Sequence, residues 1–376
     1  MLSRFTLAGC LVSSLSAQQT LVVDIAGGTP YQQVQAAITA ANAGDRIEIR
    51  PGAYSPFVVD RAVHIFGEAG VVITSTFQTE TIEVDGIPAG MSCSIHDVDL
   101  RSPQTPCICE PSIRIVNCLS AVLLDEVFPE QGSLEPRISV ATIQDLVIRD
   151  SYIGPTTVTA GRLWLDGTVA GPASSSSGSI INLLDAQLDM TDGEIRMNFG
   201  FGAFAFGVEL TNSTARLRSV LGLQFTQSSF GLFDFFVDSS SNVQFDPGVS
   251  FVTGAPTVFP TTATSVVAVD QAGLRVSSPT IGSSAVFSMR FATNPSFVCP
   301  FLTLPTQSAA APGIGDLFVA PAFSALIGCF PTSGAVTTAS VAIPAQPALQ
   351  GQVYLTQALA IDGGLSTTNV DVLRIR

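Results

Sequence analysis

Lysine is missing from the sequence: all 16 basic side chains are arginines, and they face 30 acids, for a formal net charge of −14. A field of that sign repels polyanions, which excludes nucleic acid as a partner. Charged residues of both signs reach only 12%, well under the quarter typical of a soluble helical domain. Two histidines leave little for a histidine metal centre, and one tryptophan with four tyrosines leaves little for a broad sugar-stacking surface. After the N-terminus no apolar run is long enough to cross a bilayer as a helix, so the 46% hydrophobic content belongs to a core.

What is present is short-strand material. The chain has 376 residues with 32 Gly, 23 Pro and abundant Ser and Thr. Residues 1–17 have the form of an export signal: Arg4, an apolar stretch from Phe5 to Leu15, and small residues Ser14, Ser16 and Ala17 before Gln18. Leu7-Ala8-Gly9-Cys10 offers a competing lipobox that would anchor the chain through a lipidated Cys10. Export leaves Cys93, Cys107, Cys109, Cys118, Cys299 and Cys329, an even set that points to disulfides. Cys299 and Cys329 are expected to pair, and the other four to pair among themselves. Free buried thiols and a metal site are the alternatives; the single-residue gap between Cys107 and Cys109 fits zinc poorly.

One helix is expected near the start, with Thr29 as N-cap, Pro30 at the first helical position, Gln32 completing a capping box and Gly44 beyond the C-terminus. Val34, Ala37, Ile38 and Ala41 give it one apolar stripe. The pattern then switches to period two, with Ile47 and Ile49 between Arg46, Glu48 and Arg50. Gln35-Ala36-Ala37-Ile38, Gly44-Asp45-Arg46-Ile47-Glu48-Ile49, Pro51-Gly52-Ala53-Tyr54 and Ile65-Phe66-Gly67-Glu68 together resemble the opening of the pectin-lyase-like superfamily. The resemblance implies a right-handed parallel β-helix whose end is capped by the short helix, and says little about activity.

Later strand openings at Ile82, Ile113, Ile138, Val158, Ile180, Val208 and Val237 recur at intervals of 20 to 31 residues, as in a solenoid. Loops are expected to bulge at 103–111 and 174–179. The phenylalanines 199, 201, 204, 206, 230, 233, 235 and 236 are expected inside the coils. The expected organisation is a signal at 1–17, the β-helix at 18–254, a linker at 255–271 and a β-sandwich at 272–376. Within the last segment, Pro279-Thr280-Ile281-Gly282, Gly351-Gln352-Val353-Tyr354 and Asp362-Gly363-Gly364 resemble a C-terminal module of secreted bacterial proteins, which implies no activity.

Enzymes of the resembled superfamily need calcium-binding carboxylates beside a basic residue, clustered Asp with His, or paired Asp with Gln and Arg. No such motif transfers residue by residue. His64 is expected at a coil edge. His96-Asp97-Val98-Asp99 is the best polar cluster, read as an acid–base or metal site or as a solvated strand and turn. Asp185, Asp189 and Asp192, with Glu194 nearby, are candidate oxygen ligands, making calcium the one cofactor candidate. In Arg162-Leu163-Trp164-Leu165-Asp166 the alternation buries both leucines and turns Arg162, Trp164 and Asp166 outward, a candidate sugar contact; the bland alternative has Trp164 packed under a covering segment. The leading expectation is a non-catalytic secreted or cell-surface protein, structural or carbohydrate-binding. The alternative is a polysaccharide lyase or glycoside hydrolase with an unrecognised site.

Overall fold

Period-two alternation with turns every few residues permits each coil to bury one row of side chains per strand, and successive coils to hydrogen-bond along their whole length. The computed structural model describes residues 18–75, 80–101, 112–129, 137–171, 178–197, 205–227, 232–260, 265–269, 271–290, 297–303, 309–311, 315–317, 324–331, 336–346, 349–350, 352–361 and 365–376. Cys10, Cys107, Cys109, Phe199, Phe201, Phe204, Phe230, residues 1–17, the expected loop at 103–111 and Asp362-Gly363-Gly364 lie outside them, as does most of 174–179, whose last residues open the strand Gly178–Met197.

The protein is all-β: a parallel β-helix followed by antiparallel sheets. Parallel pairing runs coil on coil in three stacks. The first extends from Thr20–Val23 through Arg46–Ile49 and His64–Gly67 to Asn242–Phe245 and Val266–Ala268. The second runs from Gly52–Tyr54 to Ser250–Phe251, and the third from Phe57–Val59 to Val258–Phe259. Leu, Ile and Val from all three stacks form one buried core, each contributing roughly 1.5–3 kcal/mol on full burial.

The corners are built from residues in the left-handed region. Asp97, Glu126, Asp150 and Asp192 turn the chain out of the first stack, and Asn117, Thr142, Ala160, Asp185 and Asn212 turn it in, all at positive φ. Asp and Asn tolerate that conformation best because their short side chains bond locally.

The helix caps the first coil as expected, with Val34, Ala37 and Ile38 buried, but it spans Val34–Ala40 and begins later than expected. Thr29 donates to the Tyr31 carbonyl at 2.9 Å, and Gln33 is the N-cap without a side-chain cap bond. The capping box of Thr29 and Gln32 does not form because both residues precede the helix; at the actual N-cap, Gln33 Oε1 accepts from the Ser55 amide at 3.2 Å.

The segment 255–271 is not a bare linker. Val258–Phe259 pairs with Phe235 and Phe236, and Val266–Ala268 with 243–245, so it completes a last coil. Among the phenylalanines, Phe235 lies inside with Phe225 and Phe251, at ring distances of 5.2 and 6.0 Å. Phe206, Phe233 and Phe236 instead stack on the outer surface with Phe259, since that inner row already fills the coil.

From Gly273 a three-stranded and a five-stranded antiparallel sheet enclose a second core, with Phe287 and Met289 from one facing Val298, Tyr354 and Leu373 from the other. Cys299, buried, and Cys329, exposed, form a disulfide in this module, as expected. Cys93 and Cys118 are buried free thiols, contrary to the expected pairing. Cys93 points into the coil opposite Val122, and Cys118 sits in the next coil, opposite Ile143 and against the Val84 carbonyl, so each packs as a small apolar side chain. Burial pushes both thiols up, which keeps them unreactive.

Peptide mapping without reductant is expected to recover the linked Cys299–Cys329 peptide, with Cys93 and Cys118 alkylated only after unfolding. Cys299→Ala should cost about 3 kcal/mol, because the bridge closes a loop of 30 residues. Linkage of Cys93 or Cys118 to any cysteine in the native protein would contradict the fold described.

Candidate functional site: the covered polar face of the first stack

Register decides which outward side chains stand side by side. In the first stack one outward column reads Glu48, Phe66, His96, Asp125, Arg149, Asp166, Thr191, Arg218. The next reads Arg46, His64, Ser94, Leu123, Val147, Trp164, Asp189, Arg216. Here histidine, carboxylates and arginines are brought together as a catalytic groove would need. From Phe66 to Arg218 in the first column and from Ser94 to Asp189 in the second they are buried. The five-stranded sheet lies on them, and Phe66, Leu123, Val147 and Trp164 form a third apolar cluster with Val353, Leu355, Val370 and Val372.

The expected trio is therefore only partly brought together. Leu163 and Leu165 are inside and Trp164 is outside the coil, yet Trp164 is only 3% exposed. Its indole donates to Asp145 Oδ1 at 3.0 Å, and Arg162 Nε lies 3.2 Å from the same oxygen. Asp166 is buried and pairs with Arg275 of the C-terminal module. As a sugar contact the set is corrected: the module occupies the surface that a glycan would need.

The seam is charged on both sides. Arg149 is fully buried, donates to the Val276 carbonyl at 2.6 Å and the Ser278 hydroxyl at 2.7 Å, and stands 3.2 Å from Asp371. Residues 272–376 carry four arginines, and each reaches an acid of the β-helix: Arg275 to Asp150 and Asp166, Arg290 to Asp246, Arg374 to Asp97 and Asp125, Arg376 to Glu126. Burial pushes the Asp166 carboxyl well above the usual range, and the neighbouring Asp371 adds to it.

His96 lies at the other end, fully buried, stacked on Phe66 at 4.6 Å and bonded through Nδ1 to Asp125 at 3.0 Å. It is not the solvated turn that its sequence neighbourhood suggests. Burial pushes its pKa down more than Asp125 lifts it, so it is neutral and Nδ1 donates. Burial also raises Asp125, but His96, Arg149 and Arg374 outweigh that and bring its carboxyl to about 2. His64, 2.8 Å from the Ser94 hydroxyl, is pushed down to about 4 by burial and then by His96 and Arg46.

Asp185, Asp189 and Asp192 are held apart. Asp185 is a corner residue that accepts from Asn212 Nδ2 at 2.6 Å. Asp189 pairs with Arg218 in the outward column. Asp192, at the opposite corner, accepts the Val220, Leu221 and Gly222 amides at 2.7, 2.8 and 3.0 Å. Glu194 is engaged by Arg196 and Thr226. Among the described residues no group of three or more His, Cys, Asp or Glu is arranged to hold a metal ion. Sequence reasoning missed Asp125, Arg275, Arg374 and Asp371; the legible signal was the small charge count of residues 272–376, where arginines outnumber acids in an otherwise acidic chain.

Two outcomes follow from the seam. Trp164→Ala should lower stability by about 3–5 kcal/mol in denaturant titration, since a buried ring and its hydrogen bond are lost together. Acidification should act through the histidines: with folded values depressed below the ordinary 6.5, their stabilisation is complete above about pH 6.5 and falls away below it, that of His64 being lost as pH falls toward 4. His64→Gln should flatten that slope by at most about 1.4 kcal/mol per pH unit relative to the parent. An unchanged slope would show that His64 is charged in the folded protein.

The chain matches no protein-family model, no curated protein and no solved structure.

Proposed function

We propose that the protein is an exported, non-catalytic β-helix scaffold of the pectin-lyase-like kind, serving as a structural or carbohydrate-contacting element at or outside the cell surface. One observation carries the reading: the column that holds His96, Asp125, Arg149 and Asp166 is taken up by ion pairs and hydrogen bonds with the C-terminal module and by its apolar cover. A general acid or base must reach a substrate proton within hydrogen-bond distance, and side chains sealed under a packed sheet do not. Export is supported by Arg4, the apolar stretch to Leu15 and the small residues before Gln18, and by a disulfide that suits an oxidising compartment. A net charge of −14 disfavours polyanionic chains, so a neutral saccharide is the better partner.

Incubation with polygalacturonate, pectate or alginate, with and without calcium, should give product absorbance equal to a heat-killed control. Sustained unsaturated product would overturn the scaffold reading in favour of a polysaccharide lyase. Intact mass of the exported protein should correspond to a chain beginning near Gln18; a species starting at diacylated Cys10 would replace export to the medium by a lipid anchor.

A further inference from the structure

The two ends of the β-helix are finished differently. At the first coil the helix Val34–Ala40 lies across the core and buries Val34, Ala37 and Ile38 completely. At the last coil, among the described residues, nothing lies across. Ser250–Phe251, Val258–Phe259 and Val266–Ala268 each pair with the coil behind them, and no described strand pairs with their other edge. Val258 and Val266 occupy inward positions yet are only half-buried, packed against the core on one side. Around them Val252, Phe259, Val267 and Val269 are exposed, Val252 by 58%. Among the described residues the C-terminal module does not lie across this end; its Arg290 reaches Asp246 at the side. The chain turns back from this end, and Gly273 already lies against Val220 and Arg218 of the preceding coil.

We infer that the last coil is a self-association surface, on which a second copy of this chain stacks end to end about a twofold axis. Three features of this end select that occupant. The exposed edges belong to all three stacks of one coil, and another coil end presents three edges in a matching arrangement. The opposite end is closed by the helix, so head-to-tail stacking is blocked and only like ends meet, which gives a closed pair instead of a fibre. Residues 247–269 carry no charge in a chain of net −14, and of the flanking acids Asp246 is paired with Arg290, so like-charge repulsion between two copies is small at this end. Pro247, Pro256 and Pro260 keep the edges short, which limits open-ended strand addition by unrelated chains. Apolar closure of the two half-covered cores is then the driving force.

Sedimentation or light scattering of the disulfide-intact protein from about 1 to 100 μM should show a dimer that dissociates on dilution. Val252→Lys combined with Val267→Lys places like charges at the contact and should raise the dimer dissociation constant by about 100-fold or more, while Thr157→Lys, exposed on the third stack, should leave it unchanged. In the parent, amide exchange in 250–259 and 265–269 should slow as concentration rises, a readout that needs no variant. A parent that is monomeric throughout, a dimer unaffected by the double lysine change, or exchange at this end that is independent of concentration would each overturn the inference.

Discussion

Arg149 is the group on which the arrangement of the two parts depends. It projects from a β-helix strand, has Asp125 and Asp166 as register neighbours, and places its guanidinium against Val276, Ser278 and Asp371 of the C-terminal module. A buried guanidinium without partners would cost several kcal/mol, so the module must sit where its carbonyl and carboxylate meet that cation. The apolar cluster around Trp164 supplies area but little direction. The charge pairs supply direction: arginines of the module meet acids of the coil at Asp97, Asp125, Glu126, Asp150, Asp166 and Asp246. Buried pairs of this kind add modest net stability, since desolvation offsets much of the attraction, but mispairing leaves a charge stranded, which fixes the orientation.

Local order was legible in the sequence where one physical rule governs it. Period-two runs such as Leu163 and Leu165 identified the interior row, the apolar stripe of Val34, Ala37 and Ile38 identified the capping helix, and isolation from other cysteines identified the Cys299–Cys329 pair. What was not legible is what covers an outward row. Alternation says that Trp164 leaves the coil; it does not say whether water or another sheet receives it. The same gap separates Cys93 and Cys118 from their expected pairing, because composition counts thiols while register decides which of them can meet. His96 stands out in the sequence within a polar cluster that suggests a solvated turn, and the structure buries it.

The aspartates illustrate a second source of ambiguity. A carboxylate beside glycine reads equally well as a ligand or as a turn, and in a parallel coil the turn has first claim. Each coil must reverse direction at corners where the backbone enters the left-handed region, and Asp and Asn are the non-glycine residues that enter it at least cost. Asp185 and Asp192 fall at the two corners that flank one strand of the first stack, so they lie at opposite ends of that strand. Their oxygens then bond the next coil, as Asp192 does with three consecutive amides and Asp185 with Asn212.

Covering one stack changes what the remaining surface can do. The module takes the face richest in titratable groups, so the polar atoms there pair across the seam. The second and third stacks keep their outer rows in water, and their features differ in kind. The third carries the phenylalanine stack of Phe206, Phe233, Phe236 and Phe259, which ends at the uncapped coil. The second carries Tyr152 near Arg196, itself held by Glu194, with guanidinium and ring 5.7 Å apart. An aromatic face and a tyrosine–arginine–glutamate group on rigid strands are thus the outward features that the module leaves uncovered. The division of labour thus follows from where the C-terminal sheet docks, and that is set by Arg149 and the acids in register with it.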